Sequence, residues 1–126
     1  MTEARTTSVI SLPSGYNLFV YDELDSSNAE ALRLAERSSM GAVWIWAKTQ
    51  TAGRGRQGRT WISSPNDLKC SLLLTLQRPV SEIAQLSFVT SLAVRDALNR
   101  FEPDAPIALK WPNDVLIGGS KTAGIL

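Results

Sequence analysis

Apolar positions fall in short blocks whose spacing shifts between the alternation of a strand and the wider period of a helix. Leu18, Phe19 and Val20 make residues 17–21 a predicted strand. Asp25-Ser26-Ser27-Asn28 then opens a helix expected to reach about Ser38, with Gly41 beyond it as a stop signal. Ser27 and Glu30 have the spacing of a capping box. Residues 42–47 are continuously apolar at strand length, which predicts a central strand with Trp44 and Trp46 in core or edge packing. A turn at residues 63–67 precedes a strand at 69–76, where Cys70, Leu72, Leu74 and Leu76 share one face. Ser81 is the expected cap of a helix over residues 82–101. Its stripe is Ile83, Leu86, Val89, Ala93, Ala97 and Phe101, widened by Phe88, Leu92, Val94 and Leu98.

Pro103 and Pro106 break the chain before a strand at residues 107–111. Pro112 stops that strand and Asn113-Asp114 turns the backbone. Residues 115–117 and 120–126 then read as a hairpin across Gly118-Gly119. Residues 1–15 read as a flexible lead-in with no room for a helix-turn-helix, which leaves 16–126 as one domain. Helices packed on a mixed, mostly antiparallel sheet make an α+β fold.

Composition narrows the chemistry. The 126 residues are 44% hydrophobic and 20% charged, as in ordinary globular chains. Thirteen basic against twelve acidic residues leave a net charge of +1, too little for a general polyanion binder. The single cysteine, Cys70, forms no internal disulfide and reads as a buried strand thiol in a reducing compartment. With no histidine, Ser-His and Cys-His pairs and the usual zinc sites are excluded. Chemistry must rest on Arg, Lys, Asp, Glu, Asn and backbone donors, the set that serves phosphoryl-type reactions. No apolar run is long enough for a signal peptide or membrane span, so a cytoplasmic location is expected.

The candidate chemistry centres on residues 49–61, where Gly53, Arg54, Gly55, Arg56, Gly58 and Arg59 lie between an apolar run and Trp61 without an acidic neighbour. Glycine permits close backbone approach, and arginine offers a planar fork of donors for carboxylate or phosphate. A mobile cationic loop closing over a small anion is one reading. A solvated surface loop and a single-strand nucleic-acid patch are the others. Pro112-Asn113-Asp114 alone is as readily a plain turn, and Lys121 on a hairpin a solvated side chain.

Taken together, Asp25-Ser26-Ser27-Asn28, the arginine-glycine stretch, Lys110-Trp111-Pro112-Asn113-Asp114 and Lys121-Thr122-Ala123-Gly124-Ile125-Leu126 resemble the catalytic domain of biotin protein ligases. The resemblance implies the biotin/lipoate ligase fold, similar to class II synthetase cores, here the N-terminal part of the domain without a DNA-binding domain. It implies ATP, Mg²⁺ and biotin as reactants and cofactors, and a carboxyl carrier domain of acetyl-CoA carboxylase or a related carboxylase as acceptor. DNA and membrane are not expected partners, and a homodimer is left open. Ser26, Ser27, Asn28, Gln50, Gly53, Arg54, Gly55, Arg56, Lys121 and Gly124 would contact biotin or its adenylate. Arg54, Arg59, Trp61, Asn113 and Asp114 would face the nucleotide, Asn113 and Asp114 the metal, while Arg56 and Lys121 would carry catalysis. A lipoate-type ligase or acyltransferase is the rival of similar fold, although its usual Arg-Arg-x-x-Gly-Gly-Gly pattern is missing here. An inactive biotin-binding fragment is the other alternative, because the chain ends before strands that the resembling family goes on to supply.

Overall fold

The computed structural model describes residues 10–37 and 41–126. The lead-in expected at residues 1–15 therefore lies outside it up to residue 9, as does the expected helix end at Ser38. The chain forms two compact units, one up to Leu76 and one from Gln77 to Leu126.

The first unit begins with strand β1 (Tyr16–Leu24), which leads into helix α1 (Ser27–Arg37) and then strand β2 (Ala42–Gln50). This strand–helix–strand order puts β1 and β2 parallel, with Tyr16 opposite Ala42 and Leu24 opposite Gln50. Strand β3 (Lys69–Leu73) runs antiparallel on the other side of β2, so β2 is central, as its apolar run suggests. Its burial nevertheless alternates. Val43, Ile45 and Ala47 are fully buried while Trp44 and Trp46 are half-buried on the opposite face. The core joins these three to Tyr21, Leu24 and Ala31, with Phe19, Leu34 and Leu73 packed against it.

Two expectations for this unit are corrected. Ser26, not Ser27, caps α1: its hydroxyl accepts the Ala29 amide at 3.4 Å and its carbonyl accepts Glu30 N–H at 3.0 Å. Glu30 is turned instead to Arg33 and Tyr21. In β3 the phase is reversed, for Lys69 and Ser71 join Leu73 on the inner face and Cys70 is exposed. Alternation fixes the period of a strand and leaves its phase open. The phase is decided here by polar groups that find inner partners: Ser71 Oγ is 2.9 Å from Ser27 Oγ, and Lys69 Nζ donates to the Ser64 carbonyl at 2.8 Å.

The second unit opens with a single turn, α2 (Val80–Ile83), followed by helix α3 (Leu86–Phe101). The single helix expected over residues 82–101 is thus broken near Ala84. Ser81 lies inside the first turn, whose cap position is Pro79 without a side-chain bond. Strands β4 (Ile107–Lys110), β5 (Asp114–Ile117) and β6 (Ser120–Gly124) form an antiparallel sheet, and α3 packs on β4 and β5. Lys110 ends β4, one residue earlier than expected, and a cis Trp111–Pro112 peptide leads the turn into β5. The two three-stranded sheets replace the one mixed sheet of the sequence reading, while the α+β class stands. The predicted stripe of α3 is also rotated: Leu86, Val94 and Leu98 turn inward beside buried Ser91, whereas Phe88, Val89, Leu92 and Phe101 are exposed. Apolar residues cover so much of this helix's circumference that periodicity alone admits several inward faces. Val115 is fully buried. Among the described residues no helix is long and apolar enough to cross a membrane.

Because Ile45 is fully buried at the middle of the central strand, Ile45→Ala is expected to cost about 2–5 kcal/mol of stability. The midpoint of a urea titration measures it, and a midpoint unchanged from the parent would place the core elsewhere.

Candidate functional site

Parallel β1 and β2 end at the same edge of their sheet, and that edge carries the first unit's candidate residues. Leu24 closes β1 and Gln50 closes β2 opposite it. The ladder continues one step beyond the strands, where Thr51 N–H donates to the Leu24 carbonyl at 2.9 Å and Ala52 N–H to the Asp25 carbonyl at 2.8 Å. The helix start and the root of the arginine-glycine loop are therefore held side by side.

Gln50 Oε1 accepts the Ser27 amide at 2.8 Å, satisfying one of the donors that a helix start leaves without an intrahelical partner. Ser26 and Ser27 are buried, Asn28 is half-buried, and Ser27 shares a hydroxyl contact with Ser71. The structure thus brings Ser26, Ser27, Asn28 and Gln50 together. It also gives both serines internal partners, so their first role is to shape the corner.

The loop that follows is folded on itself. Trp61 N–H donates to the Gly53 carbonyl at 2.9 Å, Gly55 N–H to the Arg59 carbonyl at 2.7 Å, and Arg54 bridges Thr60 in antiparallel fashion. A short 3-10 turn at Arg56–Gly58 forms the tip, with Gln57 at φ 57° and Gly58 at φ 72°. Gly53 is required by space. A Cβ there would lie 2.5 Å from the Trp61 carbonyl oxygen and 3.0 Å from Gln50 Nε2. Arg54, Arg56 and Arg59 are exposed on this arch, Gly55 is half-buried within it, and Trp61 is half-buried at its base. Three guanidinium groups on one small arch make a concentrated positive field suited to an anion.

Sequence reasoning gave Arg33 no role and Glu30 only a capping one, and did not show how the groups that brace this corner meet. Both oxygens of Asp25 meet the Arg33 guanidinium, at 2.7 and 3.0 Å, and one of them also accepts Ser26 N–H at 2.8 Å. Arg33 Nε donates to Glu30 at 2.6 Å, and the buried Tyr21 hydroxyl donates to the other Glu30 oxygen at 3.3 Å. The bonds from Arg33, followed by the Ser26 amide, hold the Asp25 carboxyl down at about 2. The three-residue spacing of Glu30 and Arg33 on a helix was a signal for the pairing of those two. The meeting of Asp25 with Arg33 depends on how the chain enters the helix, which spacing does not show.

In the second unit the candidates lie on the β5–β6 hairpin. Asn113 is used structurally, since its side-chain amide donates to the Ile125 carbonyl at 2.8 Å while its own carbonyl accepts Ile125 N–H at 2.8 Å. Asp114 lies opposite Gly124 across the ladder, and its Oδ1 is 2.7 Å from Lys121 Nζ. That contact is an ion pair without hydrogen-bond alignment, and the same oxygen is otherwise buried with no hydrogen bond. Its charge is met by the Lys121 ammonium, and a metal ion at this carboxylate would share it with or take it from that lysine. One such carboxylate suits Mg²⁺, which keeps several waters and completes its shell with phosphate oxygens. Among the described residues no cluster of three or more acidic, cysteine or histidine side chains could hold a metal by protein ligands alone.

Comparison with known proteins follows the same lines. The model of the biotin/lipoate A/B protein ligase family matches residues 20–126. The chain is 50% identical over 103 residues to the biotin–[acetyl-CoA-carboxylase] ligase of Paracoccus denitrificans, a match covering 81% of this chain and 42% of that protein. It is 38% identical over 115 residues to the bifunctional ligase/repressor BirA of Bacillus subtilis, covering 89% of this chain and 34% of the relative. Among solved structures it is similar to the biotin protein ligase of Leishmania major in complex with biotinyl-5-AMP, with a TM-score of 0.76 and 25% identity over 91% of this chain and 52% of that one. The biotin protein ligase of Aquifex aeolicus in complex with biotin and ATP aligns with a TM-score of 0.71 and 36% identity, covering 87% and 45%. The chain spans between about a third and about half the length of these relatives. A family match that takes in both units, from the end of β1 through the hairpin, accounts for the pattern of strands, loops and charges together: the chain belongs to the biotin/lipoate A/B protein ligase family.

Proposed function

We propose that this chain is the part of an ATP-dependent biotin protein ligase that binds biotin and brings its carboxylate to ATP. The observation that carries the reading is the corner at the end of β1 and β2, where the Ser26–Asn28 turn, Gln50 and the arginine-glycine arch are bonded together. Relatives named as biotin ligases, and related structures holding biotin, ATP or biotinyl-5-AMP, support the choice of ligand. A cytoplasmic setting fits the single cysteine.

In the first step a biotin carboxylate oxygen attacks the α-phosphorus of ATP. The bond to pyrophosphate breaks, and biotinyl-5′-AMP forms. Both partners are anions, so their repulsion is the first barrier. Arg54 and Arg56 on the arch, with Arg59 beside them, supply fixed positive charge that needs no reorganisation as the phosphorane develops. Trp61 and Gly53 hold the arch in shape. In the second unit Lys121 is the cation for carboxylate and α-phosphate, and Asp114 holds its ammonium by an ion pair. Asp114, next to Asn113, is the residue that would hold Mg²⁺, which when bound would neutralise phosphate charge. Gly124, opposite Asp114 on the ladder, is the further expected contact on this hairpin. In the second step a lysine amine of a carboxyl carrier domain attacks the mixed anhydride carbonyl, and AMP leaves.

Titration calorimetry with biotin and with lipoate, each with and without ATP, tests the ligand. Biotin should bind and lipoate should not. The reverse order would favour the lipoate-type alternative, and binding that needs neither but weakens steeply with salt would favour a nucleic-acid surface. In the full-length protein Arg56→Ala and Lys121→Ala should each slow biotinyl-AMP formation by roughly 10²–10³-fold with little effect on folding. Near-normal adenylation by Lys121→Ala would remove that lysine from the mechanism. Gly53→Ala forces its Cβ against the Trp61 carbonyl and Gln50, so it should cost about 1–3 kcal/mol by overpacking and weaken biotin binding. Denaturant titration and calorimetry check the two effects separately.

A further inference from the structure

We infer that Arg33 is a positioning residue for ligand binding, acting through the Asp25 carboxylate on the helix-start turn and on the root of the arginine-glycine arch. The inference rests on the corner being a ligand site, as proposed above, and adds what holds that corner in one geometry.

Asp25 is the joint of the corner. Its backbone carbonyl accepts the Ala52 amide at 2.8 Å, which ties it to the arch, and its side chain accepts the Ser26 amide at 2.8 Å, which ties it to the start of α1. A carboxylate with only that second bond could still rotate about its side chain. The Arg33 fork removes this freedom by occupying both oxygens at 2.7 and 3.0 Å. Arg33 is itself fixed, because its Nε donates to Glu30 at 2.6 Å and Glu30 accepts from Tyr21, a core residue of β1. An unbroken line of directed bonds therefore runs from the core, through Glu30, Arg33 and Asp25, to the amide of Ser26.

The exposure of the pair shows what this line is for. The Arg33 and Asp25 side chains are 37% and 46% exposed, and an ion pair so exposed adds little to stability. Direction is what it supplies. A lysine carries the charge without the planar fork and cannot hold both oxygens at once.

The test uses the full-length protein with Arg33→Met, which keeps most of the apolar stem and removes the fork, together with Asp25→Asn, the double variant and Arg33→Lys. Without ligand, amide hydrogen exchange at Ser26 and Ala52 should quicken in Arg33→Met while the amides of β2 stay protected. The biotin KM should rise roughly tenfold with kcat within about twofold, less than the ~10² cost of misplacing a reacting group by about 1 Å. The double variant should be no worse than either single one, since both break the same clamp, and Arg33→Lys should recover part of the loss. Unchanged exchange at Ser26 and Ala52, a normal KM in Arg33→Met, or additive effects in the double variant would each overturn the inference. Exchange is read without biotin, so a parent protein that fails to bind biotin would sink the ligase reading and still leave the clamp decided by its amides.

Discussion

The hydrogen bond from the Ser27 amide to Gln50 Oε1 is the contact on which the candidate site depends. It closes a start of helix that would otherwise leave donors in a buried place, and it does so with the last residue of the central strand. The Ala52 and Thr51 amides extend the same seam by two further bonds. Because the seam joins a helix, two strands and a loop, a shift in any of them is felt at the other three. The arginines owe their position to it, though they make none of its bonds.

The two units supply different kinds of charge control. In the first, like charges crowd on an arch that backbone bonds close, and Gly53, Gln57 and Gly58 take the conformations or the space that such closure needs. In the second, opposite charges pair directly, Lys121 against Asp114, on a hairpin that Asn113 secures at its open end. Charge of the first sort is already gathered in one place when an anion arrives. Paired charge of the second sort must first exchange partners, so its net effect depends on what replaces the carboxylate.

Much of this was legible in the residues. The strands at β1, β2, β4, β5 and β6 and the helix α1 follow from apolar runs and turn signals, and the order of motifs pointed to the family that the wider match shows. What escaped was phase and partnership. Lys69 and Ser71 face inward because a carbonyl and a hydroxyl await them, and no local pattern announces either. In α3 the apolar residues were recognised, but which of them turn inward depends on strands β4 and β5 packed against it. Ser26 took the cap expected of Ser27, whose hydroxyl meets Ser71 and whose amide donates to Gln50, both far away in sequence. Asp25 was read only as part of the block that opens α1 and Arg33 was given no reading, and only the chain path makes them a clamp.

The parallel pairing of β1 with β2 also bears on how the first unit assembles. Tyr16 can meet Ala42 only after the whole intervening helix has crossed over, so this ladder needs a long closure before its first bond forms. The corner lies at the far end of that ladder, where Leu24 meets Gln50. It is therefore absent from any partly folded chain in which the crossover is still open. A small molecule recognising the corner has nothing to grip until then, so it holds the finished unit by mass action without templating the route to it.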